Sequence, residues 1–266
     1  MKLIHSKRLF SSKTFQSWLW LFILLGIWES ASRSGIVNNY LLPPFSKVFI
    51  NTIIELSSGV LSIQVINSLL IILEGFGLSL ALAILITLLC SWFKSIESLF
   101  YMLSTVFNPL PPFALMPLII LWFGINSGAM LAIIVHGVLW ALVQNMLDGI
   151  RTIPRVYYEW SDNIELSPLQ KYTGVLLYAI LPELLAGIRV GWGRAWRALI
   201  GAEMIFGMIG KLGGIGYYIY NARSYANITN VMSGVVIIVI IGVIVESFLF
   251  NLLEKRTVNK WGMMRE

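Results

Sequence analysis

The chain has 266 residues, of which 58% are hydrophobic and 12% are charged, and its formal net charge is +6. This composition excludes an ordinary soluble domain, and the single cysteine, Cys90, excludes an intrachain disulfide and a cysteine-based metal site. In lipid every backbone polar group needs an internal partner. The sequence therefore predicts an all-α, polytopic membrane protein with a single transmembrane domain over residues 1–266.

Long uncharged runs mark the candidate spans, since a spanning helix needs about 20 predominantly apolar residues. The run from 98 to 147 is about twice that length and is interrupted by Pro109, Pro111 and Pro112 and by a turn at 124–127. This run is therefore expected to hold two helices. We expect about six transmembrane helices, at roughly 14–31, 63–92, 97–123, 128–147, 183–206 and 230–251.

Positive charge predicts the orientation, because Lys and Arg concentrate in cytoplasmic loops. With both termini placed in the cytoplasm, only four basic residues outside the spans face the other side: Arg33, Lys47, Lys211 and Arg223. The net positive charge is thus explained by topology. No basic run alternates with aromatic residues on a soluble face, so the sequence does not indicate nucleic-acid binding.

Residues 148–182, the cytoplasmic segment, form a polar stretch between hydrophobic blocks. Pro154 predicts the start of an amphipathic helix over 155–162, and Ser167-Pro168 predicts a second start. Such a rigid projection suits contact with a soluble partner, through Tyr157, Glu159, Trp160, Asp162 and Glu165. A helix lying on lipid headgroups is the alternative, which the acidic residues disfavour next to an anionic leaflet.

Four charges fall in the fifth predicted span, where a central charge costs at least ~2.5–3.5 kcal/mol: Arg189, Arg194, Arg197 and Glu203. One interpretation is that Arg194 or Arg197 lines an anion path, while Glu203, on the face of Trp196, braces a neighbouring helix. The alternative is that the arginines only pair structurally with Glu74 or Glu246, or extend their charged ends to the membrane surface. Gly187, Gly191 and Gly193 predict close helix packing on the same span.

Other features exclude chemistry in this chain. The glycine-rich segment 213–216 lacks the Lys-Ser/Thr that a phosphate-binding loop requires, and no metal-ligand or nucleophile spacing is found. No cofactor or enzyme activity is therefore expected. His136, within an apolar helix, is expected to be a hydrogen-bonded interior residue rather than a proton relay. No internal repeat is found, so a pathway would form between two copies, with a homodimer as the default.

Two further segments lie outside the predicted spans. Residues 45–58 are expected to form an amphipathic helix. This helix would either lie on the bilayer or dock an extracytoplasmic binding protein. Residues 207–230 are too polar to span and contain a short apolar helix at 216–220, which predicts a re-entrant or gate helix.

Several motifs in order resemble one family. Glu159, followed by Leu177 and then Leu181-Pro182, resembles the cytoplasmic EAA loop of ABC-transporter inner-membrane permeases, although glycine is usual where Glu165 stands. Residues 109–124, PLPPFALMPLIILWFG, closely resemble a stretch of nitrate, sulfonate and taurine permeases. Further matches are YLLPPFSKV at 40–48, the motifs of 181–204, the stretch 214–223 and the tail around 254–261.

The resemblance implies a type I ABC importer permease in a bacterial cytoplasmic membrane. It implies two ATPase subunits that bind ATP and Mg²⁺, a second permease copy, an extracytoplasmic solute-binding protein and a small anionic cargo. The cytoplasmic segment would couple the chain to the ATPase. A self-contained secondary transporter is the rival, and it would use the intramembrane carboxylates Glu74, Glu203 and Glu246.

Overall fold

The computed structural model describes residues 13–171, 174–175, 177–209 and 213–257. Within these ranges the chain forms helices and no β-strand, which confirms the predicted all-α fold. Contacts divide it into two compact units: one comprises the described residues of Met1–Ser62 with Tyr218–Ile237, and the other comprises those of Ile63–Tyr217 and Ile238–Glu266.

The helices follow the predicted order closely. The first half of the chain contains α1 (Lys13–Arg33), α2 (Phe45–Ser57), α3 (Val60–Trp92), α4 (Lys94–Phe107), a 3₁₀ turn (Pro112–Leu115), α5 (Met116–Phe123) and α6 (Ser127–Arg151). The second half contains α7 (Arg155–Asn163), α8 (Pro168–Lys171), α9 (Leu177–Ala179), α10 (Leu181–Phe206), α11 (Ile215–Ser224), α12 (Ile228–Ile244) and α13 (Asn251–Arg256). A π-helical stretch, Val245–Phe250, joins α12 to α13.

Three described helices are long and apolar enough to cross a membrane: Val60–Trp92, Ser127–Arg151 and Ile228–Glu254. The chain is thus a multi-pass membrane protein by length and composition. Helices α1 and α10 have 21 and 26 residues, enough to span at 1.5 Å per residue, but they are more polar. The prediction of six spans therefore rests on length alone for these two.

The predicted span 97–123 is corrected by the structure. Helix α4 and the helical stretch Pro112–Phe123 meet at a bend of 92°, so this region is a bent pair rather than one straight span. Prolines at 109, 111 and 112 cause the break, because proline lacks the backbone donor that would continue a helix. Taken as one broken span, the pair brings the number of apolar spans to four.

Helices α6 and α10 form the core of the larger unit. Each of the two helices has 12 buried residues. Glycines permit this approach: a Cβ added at Gly187 would lie 3.0 Å from Asn145 Cβ, and one at Gly191 would lie 3.1 Å from Val138 Cγ1. The predicted close packing at Gly187 and Gly191 is confirmed, whereas Gly193 faces only the Arg197 side chain of its own helix.

The smaller unit is held by polar contacts between α1 and α2. Glu29 accepts hydrogen bonds from Arg33 Nε (2.6 Å), Ser46 N (3.0 Å) and Ser46 Oγ (2.8 Å). Trp28 Nε1 donates to the Pro43 carbonyl at 3.0 Å. These bonds fix the connection that carries the YLLPPFSKV motif, and the predicted helix at 45–58 is confirmed over Phe45–Ser57.

Arg189 secures the end of the last long helix. Its Nε donates to Glu246 Oε1 at 2.7 Å, and its Nη2 donates to the Glu246 carbonyl at 3.2 Å and to Asn251 Oδ1 at 3.1 Å. Glu254 Oε2 lies 3.7 Å from Nη1. A π-helical stretch breaks the usual hydrogen-bond ladder, and here an arginine of α10 satisfies one of its carbonyls.

Glu203 caps the start of α11 from another helix. Its side chain is fully buried; Ser68 Oγ donates to Oε1 at 2.7 Å, and Gly216 N donates to Oε2 at 2.8 Å. Ser68 Oγ in turn accepts from Ile215 N at 2.9 Å. Because the first N–H groups of a helix lack internal partners, a carboxylate placed there stabilises α11 and fixes its position on α10.

Gly216 provides the most sensitive test of this capping arrangement. A Cβ added there would lie 2.2 Å from the Ile200 carbonyl oxygen, a backbone atom that cannot move aside cheaply. We expect Gly216→Ala to destabilise the protein by about 2 kcal/mol or more, measured as a lower thermal transition and folded yield in detergent. The matched control is Gly77→Ala, at an exposed helical position with no atom within 4 Å, where stability should be unchanged or higher. Equal effects of the two substitutions would contradict the assignment.

Candidate functional site

Helix α7 of the cytoplasmic segment presents an exposed apolar face. The helix begins after Pro154, and Val156, Trp160 and Ile164, spaced four residues apart, are 61%, 54% and 48% exposed. Tyr157 is 43% exposed on the same side, and Glu159 is exposed beside it. Of the five residues predicted to contact a partner, Tyr157, Glu159 and Trp160 are thus displayed on the surface of one short helix.

The corner after α7 is a helix C-terminal motif with an unusual residue. Glu165 N donates to the Asp162 carbonyl at 3.0 Å and Leu166 N donates to the Ser161 carbonyl at 3.1 Å, which is the Schellman pattern. Glu165 has a φ of 51°, in the left-handed region that favours glycine. The backbone geometry therefore explains why glycine is usual at this position in the family that the segment resembles.

Helix α8 is locked onto α7. Ser167 N donates to Gln170 Oε1 at 3.0 Å and Gln170 N donates to Ser167 Oγ at 3.4 Å, which is a reciprocal capping box. Lys171 Nζ lies 2.7 Å from Asp162 Oδ1. Asp162, predicted to contact a partner, therefore has a partner within the segment, and the two short helices form one rigid projection as expected.

The segment joins the core where α6 ends and α10 begins. A Cβ added at Gly149 would lie 3.0 Å from Glu183 Cβ, so the two helices are in close contact there. Arg151 Nη2 lies 2.9 Å from Glu97 Oε1, and this ion pair ties the end of α6 to α4. The segment therefore leaves α6 and enters α10 at a point where these two core helices are in close contact.

A second candidate site is a cavity of about 310 Å³ between α6, α10 and the proline-rich break after α4. It is lined by Asn108, Pro109, Leu110, Pro111, Pro112, Phe113, His136, Gly137, Arg194, Arg197 and Ala198. Both arginines predicted to lie on an anion path are present, and no carboxylate is among the lining residues.

The two cavity arginines differ from Arg189. Arg194 Nη1 donates to the Asn108 amide oxygen and is half-buried, while Arg197 is exposed. Neither forms an ion pair within the described residues, whereas Arg189 pairs with Glu246. Within the described residues, pairing with Glu246 is thus found for Arg189, and pairing with Glu74 or Glu246 is not found for Arg194 or Arg197.

Side chains of α6 hold the proline-rich part of the cavity lining through hydrogen bonds. His136 Nδ1 accepts from Trp140 Nε1 at 3.2 Å, so Nε2 carries the proton and donates to the Leu110 carbonyl at 3.2 Å. Asn108 Nδ2 donates to Gln144 Oε1 at 3.0 Å. His136 is thus a hydrogen-bonded interior residue, as predicted, and it holds the non-helical backbone in place.

Two predicted path residues lie away from this cavity. Trp196 is buried and stacks on Trp192, with ring centroids 6.4 Å apart and planes 7° apart. Glu203 is the cap of α11 described above, which agrees with its predicted role as a brace. Sequence reasoning missed Asn108 and Gln144. The only signal was the position of the Asn108 amide, immediately before the proline-rich break.

Comparison with known proteins identifies the family. The family model described as binding-protein-dependent transport system inner membrane component matches residues 80–259. Aliphatic sulfonates transport permease protein SsuC of Bacillus subtilis (strain 168), provisionally so named, is 31% identical over 90% of this chain and 84% of its own.

Two further relatives are more distant. Taurine transport system permease protein TauC of Escherichia coli (strain K12) is 24% identical over 91% of this chain and 90% of its own. Nitrate import permease protein NrtB of Synechocystis sp. is 27% identical over 71% of this chain and 67% of its own. The chain therefore belongs to the binding-protein-dependent transport system inner membrane components, and it is an ABC importer permease rather than an enzyme.

Proposed function

We propose that this permease imports a small organic or inorganic anion of the sulfonate, taurine or nitrate kind. The observation that carries the proposal is the cavity with two guanidinium groups and no lining carboxylate. Uncompensated positive charge at a partly enclosed site raises the local concentration of anions. The relatives named above for sulfonates, taurine and nitrate support the same cargo class.

The cytoplasmic segment is the proposed contact with the ATPase. Its exposed apolar face suits a groove on a soluble partner, where burial of Tyr157 and Trp160 supplies most of the contact and Glu159 fixes the register. In the complete importer two ATPase subunits bind ATP and Mg²⁺, and an extracytoplasmic binding protein delivers the cargo. In this arrangement both termini of the permease lie in the cytoplasm, on the same side of the membrane as the ATPase.

A secondary transporter is disfavoured by the environment of its candidate coupling carboxylates. Both oxygens of the Glu203 carboxylate accept hydrogen bonds at the start of α11, and Glu246 is paired with Arg189. Glu74, the remaining candidate, is exposed on α3. A carboxylate that exchanges protons or ions with cargo needs access to the pathway.

Two copies of the permease are proposed to enclose the pathway. Ala186, Val190 and Arg197 lie on one exposed stripe of α10, the helix that also lines the cavity. In a closed two-fold arrangement this stripe would face its own copy.

Charge reversal at Glu159 tests the coupling. We expect Glu159→Lys to abolish cargo-stimulated ATP turnover by the reconstituted importer while the permease remains folded, because this side chain is exposed and has no ion pair within the described residues. Asp148→Lys is the matched control, since Asp148 is also exposed and cytoplasmic. Its ion pair with Arg151 is long, at 3.8 Å, so little is lost with it. Normal stimulation of Glu159→Lys would refute the proposed contact.

Cysteine cross-linking tests the stoichiometry. With the single native thiol removed by Cys90→Ala, Val190→Cys should cross-link into a permease dimer within a complex containing two ATPases, because Val190 is 47% exposed on the proposed shared stripe. Ala202→Cys, at a buried position of the same helix, should not cross-link. A native mass with one permease per active complex would refute the pairing.

Neutralising Arg197 tests the anion path. Because Arg197 is exposed and has no described ion pair, Arg197→Gln should leave folded yield unchanged and lower anion uptake roughly tenfold. Arg189→Gln should instead lower the folded yield first, because it leaves the carboxylates of Glu246 and Glu254 without their partner. Uptake per folded complex separates the two effects, and unchanged uptake in Arg197→Gln would contradict the path.

A further inference from the structure

The acceptor that holds Arg194 is a neutral amide. Asn108 is the C-terminal cap residue of α4, and its side chain is used at both ends: Oδ1 accepts from Arg194 Nη1, and Nδ2 donates to Gln144 Oε1. The amide is therefore held in one orientation, and it fixes the guanidinium at the edge of the cavity. This position contributes nothing to neutralising the arginine.

The choice of amide has an electrostatic consequence. A carboxylate at the same position would accept the same hydrogen bond more strongly, but it would also cancel the charge of Arg194. A guanidinium has five N–H donors, and Asn108 occupies one of them. The contact thus orients Arg194 without removing its ability to attract and bind an anion.

The proline-rich part of the cavity lining has few backbone donors. It contains Pro109, Pro111 and Pro112, and proline has no backbone N–H. Pro112 is pressed against Gly137, where an added Cβ would lie 3.2 Å from Pro112 Cγ, so this wall is fixed by α6. The hydrogen bonds that an anion receives in the cavity therefore come chiefly from the two arginines.

We propose, building on the anion-import function above, that the permease itself contains an anion-binding site formed by Arg194 and Arg197, and that Asn108 is its positioning residue. The ligand class is a compact anion that presents an oxyanion to two guanidinium groups. Asn108 determines the charge selectivity of the site, because its neutral amide holds Arg194 in place and leaves it uncompensated.

Substitution of Asn108 distinguishes this role from a structural one. In Asn108→Asp the introduced carboxylate keeps the bond to Arg194, and Gln144 can rotate its amide to donate to it, so assembly and thermal stability should match the wild type. Uptake should nevertheless fall at least tenfold in kcat. Asn108→Ser removes the positioning contact without adding charge, so its uptake should fall only about twofold to fivefold. A purely structural contact would give the reverse order, because only the aspartate keeps it.

The assay uses the complete importer in proteoliposomes, with taurine, butanesulfonate and nitrate as separate radiolabelled or isotopically labelled probes. KM should be unchanged in both variants, since the binding protein sets cargo capture, and the defect should appear in kcat. Asn38→Asp is the matched control: Asn38 is exposed, and its Oδ1 accepts from Tyr40 N at 2.8 Å, a bond that aspartate retains. This variant should transport like the wild type.

Each outcome decides the inference. The role of Asn108 is overturned if Asn108→Asp shows wild-type uptake and kcat. It is also overturned if Asn108→Ser loses more uptake than Asn108→Asp. Either result leaves the anion-import function standing. Failure of Asn108→Asp to assemble also overturns the role of Asn108, because the amide would then be required for folding. A wild-type importer that transports none of the three anions refutes the proposed function, and the site with it.

Discussion

The arrangement of the larger unit depends on the need to keep the charges of α10 out of lipid. This helix carries Arg189, Arg194, Arg197 and Glu203, and exposure of such groups to hydrocarbon is costly. The structure resolves the conflict by burying α10 against α6 while the more apolar α3 and α12 remain largely exposed, with 22% and 11% of their most apolar windows buried. The charged helix α10 is thus, together with α6, one of the two most buried long helices in the described part of the chain.

Each charge on α10 is accommodated in a different way. Arg189 is paired with carboxylates, Glu203 caps a helix, Arg194 rests on an amide and Arg197 lines open space. These differences follow from position along one helix, whose successive faces meet different neighbours. The same helix therefore combines charges that hold neighbouring elements with charges that line a cavity and have no ion pair within the described residues.

The sequence predicted the helices well because apolar runs, prolines and capping residues are local signals. It failed where the answer depended on distant contacts. Nothing local distinguishes Arg189 from Arg194, and only the folded chain shows that Glu246 lies near one and Asn108 near the other. The proline break was recognised, but its 92° bend was not, since proline predicts an interruption and neighbouring helices determine the angle. Orientation of the termini, the homodimer and the ATPase contacts remain predictions.

The π-helical stretch Val245–Phe250 contains, in effect, one residue more than an α-helix would need between the same ends. A residue advances an α-helix by about 100°. If the same residues were wound as a regular α-helix, everything after the stretch would be rotated by roughly that angle, which would carry Asn251 and Glu254 away from Arg189. The π-helical stretch therefore sets the rotational register of the carboxyl-terminal helix, and it places Asn251 and Glu254 beside Glu246 as further partners of this arginine.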